Sequence, residues 1–124
     1  MRVIYEAFFV MNELNSKLEK DIQYKHITTE FKPTTTHEHL YGLEATFIVT
    51  GYGNDGINEG YSVKLLSCEN DELRELYNNI SIPHITLSIS NEGKPINTSK
   101  LNFISSSPDI IKTKFGGYIG KPIL

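Results

Sequence analysis

Two tripeptides in the 124-residue chain carry the same letters, His26-Ile27-Thr28 and His84-Ile85-Thr86, one in each half. Histidine takes up and releases a proton near neutral pH, so it can serve as general base or general acid. Breaking a phosphodiester needs both services. One proton must leave the attacking water or hydroxyl, and another must reach the leaving oxygen. Two imidazoles on opposite sides of one phosphate supply both at once. Hydroxyl donors aimed at the non-bridging oxygens stabilise the charge that builds there, and Thr28 and Thr86 stand two residues beyond the histidines. A single tripeptide of this kind says little, because a lone histidine on a strand is more often an exposed or hydrogen-bonded structural residue. Two copies in corresponding halves point to one site made of His26, Thr28, His84 and Thr86. The chemistry needs no metal or other cofactor, and the sequence offers no ligand set for one.

The spacing works only on extended backbone, where residues two apart share a face with Cα atoms roughly 6.6 Å apart. Residues 24–31 (YKHITTEF) and 82–90 (IPHITLSIS) read as strands. On the first, Tyr24, His26, Thr28 and Glu30 share a face. On the second, His84, Thr86, Ser88 and Ser90 form a polar face expected to meet solvent or ligand, while Ile85, Leu87 and Ile89 pack the other way. Met11, Leu14, Leu18 and Ile22 stand at helical spacing and predict a helix over 12–22, with Asn12 as its cap. Leu73, Leu76, Tyr77 and Ile80 predict a second helix over 70–80. Residues 2–10, 44–52, 60–67 and 114–119 read as further strands, with a hairpin turn over 53–59. A short helix is expected to start at Asn97 or Thr98 and bury Leu101. Each tripeptide thus follows a helix. That pattern reads as an internal duplication of a strand-helix-strand unit in one α+β domain spanning 1–124, with helices covering sheet faces.

Other candidates compete with plainer readings. Lys32, Lys94 and Lys114 fall near the expected site or its rim, where they could steer a phosphate, although most lysines are simply solvated. Tyr5, Tyr24, Phe31 and Tyr118 are candidates to stack on a base, and aromatics in strands are more often core. Gly116-Gly117 would allow close backbone approach or form a bulge. His37 and His39 lie in a threonine-rich stretch, 32–43, that reads as an exposed loop and a candidate lid. Gly51-Tyr52-Gly53-Asn54-Asp55-Gly56 matches G-x-G-x-x-G in form. Strand-like residues follow it where dinucleotide binding needs a helix, so it reads as a turn.

Bulk properties narrow the partners. The net charge is −3, whereas proteins that hold long duplexes by charge are usually basic, so duplex DNA is not expected. The one cysteine, Cys68, allows no intramolecular disulfide and no cysteine-based zinc site. Glu6 interrupts any signal-peptide core and no apolar run reaches membrane-spanning length. The expectation is a cytoplasmic protein without a membrane partner.

The paired tripeptides resemble the signature of the 2H phosphoesterase superfamily, two His-x-Thr/Ser motifs on strands of a two-lobed, pseudo-twofold α+β fold with antiparallel sheets flanked by helices. HITTEF, FIVTGYGNDG and PHITLSI, with GKPINTSKL after the second motif, are similar to the cyclic phosphodiesterase domain of fungal and phage-like RNA-repair ligases, and the resemblance covers nearly the whole chain. It implies a metal-independent phosphodiesterase that hydrolyses a 2′,3′-cyclic phosphate on an RNA end or nucleotide. One histidine would be base, the other acid, and the two threonines would hold the phosphate. Tyr5, Phe31, Lys32, Lys94 and Tyr118 are the expected substrate contacts. Two alternatives stand beside it. One is a phage or viral enzyme that degrades cyclic oligonucleotide immune signals in the host cytoplasm. The other is a catalytically idle nucleotide-binding module.

Overall fold

The computed structural model describes residues 2–120. Strands β1 (Val3–Val10), β2 (Lys20–Asp21), β3 (His26–Phe31), β4 (Glu44–Asn54), β5 (Asn58–Cys68), β6 (His84–Ile89), β7 (Ile104–Ser105) and β8 (Ile110–Ile119) form one sheet. The order is β2-β6-β5-β4-β8-β1-β3, with β7 attached to β4. All pairings are antiparallel. Among the described residues one α-helix, α1 (Asp71–Asn78), and two 3-10 helices, Glu38–Leu40 and Pro95–Lys100, accompany the sheet. The chain is therefore mainly an antiparallel sheet with few helices.

One stretch of chain holds the two ends of the sheet together. β2 pairs with β6, and just beyond it the Ile22 amide donates to the Leu87 carbonyl at 3.1 Å. The same stretch runs on into β3, which pairs with β1. It thus borders both ends of the strand order and brings β3 beside β6.

Alternation along the strands sets the core. Phe8, Ile27, Phe47, Ile85, Ile111 and Phe115 are all buried on one face. The Phe8 ring meets Phe47 and Phe115 edge-on at 5.0 and 5.5 Å. Each such side chain contributes about 1.5–3 kcal/mol by leaving water. α1 closes over this face through Leu73, and its Tyr77 ring lies 5.8 Å from Phe47. The helix begins where it should. Asn70 accepts a hydrogen bond from the Leu73 amide at 2.8 Å, and Asp71 and Glu72 meet the positive end of the helix dipole.

The expected helix over 12–22 does not form. This stretch is irregular and then extended as β2. Its apolar spacing misleads, since Met11 is 52 % exposed. Asn12, Asn15 and Ser16 are weak helix formers whose side chains compete for backbone partners. Asn12 accepts from the Lys112 amide at 2.8 Å. The Lys17 and Leu18 amides turn away to Glu59 and Ser88, at 2.9 and 3.1 Å. Bonds to the sheet replace the bonds a helix would make within itself.

The expected duplication survives in strand register even though one helix is missing. The β1–β3 pairs Tyr5↔Phe31, Glu6↔Glu30, Ala7↔Thr28, Phe8↔Ile27 and Phe9↔His26 correspond one for one to the β5–β6 pairs Asn58↔Ile89, Glu59↔Ser88, Gly60↔Thr86, Tyr61↔Ile85 and Ser62↔His84. Each ladder carries a bulge at the same step, after Thr28 and after Thr86. On the far sides, β8 flanks β1 as β4 flanks β5, so Gly116 opposite Ala7 corresponds to Gly53 opposite Gly60.

Candidate functional site

β3 and β6 each begin with their histidine, and the two imidazoles are close enough for the charge of one to bear on the other. Their local settings match. His26 Nδ1 donates to the Tyr24 carbonyl at 2.7 Å, and His84 Nδ1 donates to the Ile82 carbonyl at 2.7 Å. A carbonyl can only accept, so Nδ1 carries the hydrogen in both rings. Nε2 is then the working atom. It accepts a proton from the neutral ring and donates one from the charged ring. Such a fixed tautomer is what a proton-transfer histidine requires.

The rings differ in what surrounds them. His26 stacks on Tyr5 with centroids 4.5 Å apart, and Tyr5 stacks on Tyr118 at 5.0 Å. Phe9 lies tilted against His26 at 5.7 Å. Ala7 and Gly116, without bulk, leave the floor low beneath these rings. Burial, together with the nearby His84 imidazole, lowers the His26 pKa below its ordinary 6.5 and keeps the ring neutral at pH 7. Burial and Tyr118 push the Tyr5 phenol up to about 12, so it stays protonated. At the positions corresponding to Phe9 and Tyr5, the His84 side has Ser62 and Asn58. Ser62 shares a hydrogen bond with Thr50 at 2.9 Å. One imidazole thus sits in an aromatic wall and the other beside small polar groups.

The threonines differ as well. Thr28 is partly exposed, and among the described residues its hydroxyl forms no hydrogen bond, unlike Thr29, which donates to the Glu6 carbonyl at 2.9 Å. Thr86 is buried beneath the 3-10 helix Pro95–Lys100, whereas Ser88, beyond the bulge, is paired with Glu59 on the opposite face and donates to it at 2.7 Å. The His84 face of β6 is therefore covered at Thr86 rather than lined by solvent. Thr98 crosses over Gly60, where a methyl group would collide with it. Thr98 Oγ1 accepts from Asn58 Nδ2 at 3.0 Å and from Thr86 Oγ1 at 2.8 Å. The Pro95 carbonyl, 3.3 Å from Thr86 Oγ1, is a second acceptor for the Thr86 proton.

The remaining candidates divide. Tyr5 and Tyr118 are brought to His26, but Tyr5 has a ring on each face and serves as a spacer rather than an open platform. Tyr24 is 58 % exposed beside His26. Lys94 precedes the 3-10 helix over Thr86, its carbonyl held by Asn58 at 2.8 Å. Phe31 and Lys32 lie at the other end of β3, roughly 17 Å along the strand from His26, with the Lys32 ammonium 5.5 Å from the Phe31 ring. The loop over 32–43 is no lid. It is tied to the core side by Leu40 and by Glu6, which accepts from the His37 amide, His37 Nδ1 and Tyr41 at 2.7, 2.8 and 2.7 Å. His37 and His39 belong to no metal-binding group among the described residues. Gly56, with φ of 83°, turns the β4–β5 hairpin, but the turn is confined to residues 55–57, since 51–54 are paired within β4.

Sequence reasoning missed Phe9, Asn58, Thr98 and the two buried glutamates, Glu6 and Glu59. A signal for the glutamates exists: Glu6-Ala7-Phe8 and Glu59-Gly60-Tyr61 repeat acid, small, aromatic on the strands beside the two motifs. Glu59 collects the Lys17 amide, Ser88 and Tyr52, as Glu6 collects His37 and Tyr41. A hollow of about 350 Å³, bordered by Phe9, Asp21, Tyr24 and Lys25, opens beside His26. One of about 370 Å³ near Glu59 is lined by Tyr61, on the face of β5 opposite Ser62 and His84. Among the described residues no helix is long and apolar enough to cross a membrane. No model of a known protein family matches the sequence, and no curated protein matches it.

Proposed function

We propose that the chain is a phosphodiesterase of the 2H phosphoesterase type, acting on a cyclic phosphate at an RNA end or on a nucleotide. The observation that carries this reading is the matched pair of imidazoles on β3 and β6, each with Nδ1 fixed by the carbonyl two residues back and Nε2 left to work. The corresponding registers of β1–β3 and β5–β6 support the pseudo-twofold fold that goes with it. In this reading the phosphate sits between the two Nε2 atoms. His26, kept neutral by its aromatic wall, takes the proton from the attacking water. His84 gives a proton to the leaving oxygen. Thr28 and Thr86 donate to the non-bridging oxygens, Thr86 by turning its proton from Thr98 to the phosphate. Water adds to phosphorus, the bond to the leaving ribose oxygen breaks, and the two histidines exchange charge states.

The test is a turnover screen of the purified protein, with chelator present, against 2′,3′-cyclic mononucleotides, a short RNA with a cyclic end, and cyclic di- and trinucleotides. The expected result is hydrolysis of a 2′,3′-cyclic phosphate, with losses on the order of 10²–10⁴ in His26→Ala and in His84→Ala, the usual share of one acid or base. Turnover confined to cyclic di- or trinucleotides would move the substrate to signalling molecules. Binding without turnover of any of them would make the chain an idle nucleotide-binding module.

A further inference from the structure

The face of the sheet that carries the histidines continues well beyond them. Paired residues in an antiparallel ladder project to the same side. His26 pairs with Phe9, Phe9 with Lys114, and Lys114 with Glu44. Two residues back along β8 stands Lys112, opposite Thr46. From the other motif, His84 pairs with Ser62, and two residues further along β5 stands Lys64, opposite Ile48. Lys64, Lys112 and Lys114 are exposed, while Val63, Ile111, Thr113 and Phe115 between them point to the core. Among the described residues none of the three lysines forms an ion pair within 4.0 Å, in contrast with Lys25, which is bound to Asp21 at 2.7 Å. Glu44 is the carboxylate that the register sets directly across from this row, and the rest of its surroundings on β4 and β8 are Thr46, Ile48 and Ile110. Positive charge is thus gathered on one sheet face of a chain whose net charge is −3.

We propose that this face is a track for the backbone of single-stranded RNA, leading away from the phosphate held at His26 and His84. Lys112 and Lys114 stand roughly 7 Å apart along β8, and Lys64 lies across β4 on β5, two strand spacings or about 10 Å away. Three cations on so small a patch suit one phosphate backbone rather than the two of a duplex. Phe9 and Tyr118, the outer rings of the aromatic wall, adjoin the track at the His26 end, the combination of cations and rings on which single strands are held. The inference rests on the phosphodiesterase reading for where the strand ends, and it selects an RNA end over a small cyclic nucleotide as substrate.

The experiment measures binding apart from chemistry. A fluorescently labelled single-stranded RNA of ten nucleotides with a 3′-phosphate is titrated with the wild type and with the K64Q/K112Q/K114Q variant, followed by anisotropy across a salt series. The substitutions are at exposed positions, and circular dichroism verifies that the variant is folded. The expected result is affinity weakened at least about tenfold at low salt, and a log–log salt slope shallower by about 2, as loss of three phosphate contacts on a single strand requires. Turnover of a 2′,3′-cyclic mononucleotide should stay within about twofold of wild type, because the track lies outside the reacting centre. Unchanged RNA binding in the variant overturns the proposal, as does a wild type that binds no RNA or binds duplex equally well. Loss of RNA binding in the variant, with no cyclic mononucleotide turned over by the wild type, leaves the track standing and removes the phosphodiesterase reading instead.

Discussion

At the scale of single residues, the two histidines were fully legible in the sequence and their difference was not. The letters His-Ile-Thr are the same in both halves. What separates the rings is the neighbouring strand, Phe9 on one side and Ser62 on the other, and pairing across strands cannot be read from either motif. The difference has a measurable consequence. Burial lowers the His26 pKa below 6.5. An NMR titration of its imidazole should therefore show a midpoint below that value, and in the proposed role of base it should let activity persist into mildly acidic solution. The sign of the stability effect follows. The unfolded chain takes up this proton at about 6.5 and the folded chain only at lower pH. The contribution is complete above 6.5 and is lost as pH falls through the folded value. A His26 midpoint above 6.5 would reverse both statements.

At the scale of elements, the longer strands declared themselves through their β-branched and aromatic residues, and α1 through its apolar face. The stretch 12–22 did not. Its apolar residues keep helical spacing, yet Asn12, Ser88 and the buried Glu59 tie it to distant strands, and no local pattern encodes a partner so far along the chain. The polar face of β6 failed for the same reason, since Thr86 looks solvent-facing until the 3-10 helix Pro95–Lys100 is laid over it, and the bulge turns Ser88 to the other face, where it meets Leu18 and Glu59. Glu59 fastens residues 17–18 there. In Glu59→Gln the amide end presents hydrogens to donors that formerly met an oxygen. The expected cost is about 1–3 kcal/mol, the usual penalty for unmatched buried groups, seen as a lower urea midpoint with unchanged m. Proteolysis within residues 12–19 should rise in the same variant. A midpoint equal to that of wild type would mean that the segment is held by other contacts.

At the scale of the whole molecule, the duplication was visible as a repeated tripeptide but belongs to the register of two ladders rather than to two copies of helix and strand. β8, from the end of the chain, completes the half that begins with β1, so the repeat is interrupted in sequence and continuous only in space. This arrangement places β3 beside β6 and brings the histidines of both halves to adjoining strands. If the two histidines serve one phosphate, removing either should disable the same step, and removing the second should add little. The direct measurement is a double-mutant cycle on kcat for 2′,3′-cyclic phosphate hydrolysis with His26→Ala, His84→Ala and the double variant. The account predicts that the double variant is about as slow as the slower single variant. Losses that multiply, or one histidine whose removal is silent, would contradict it.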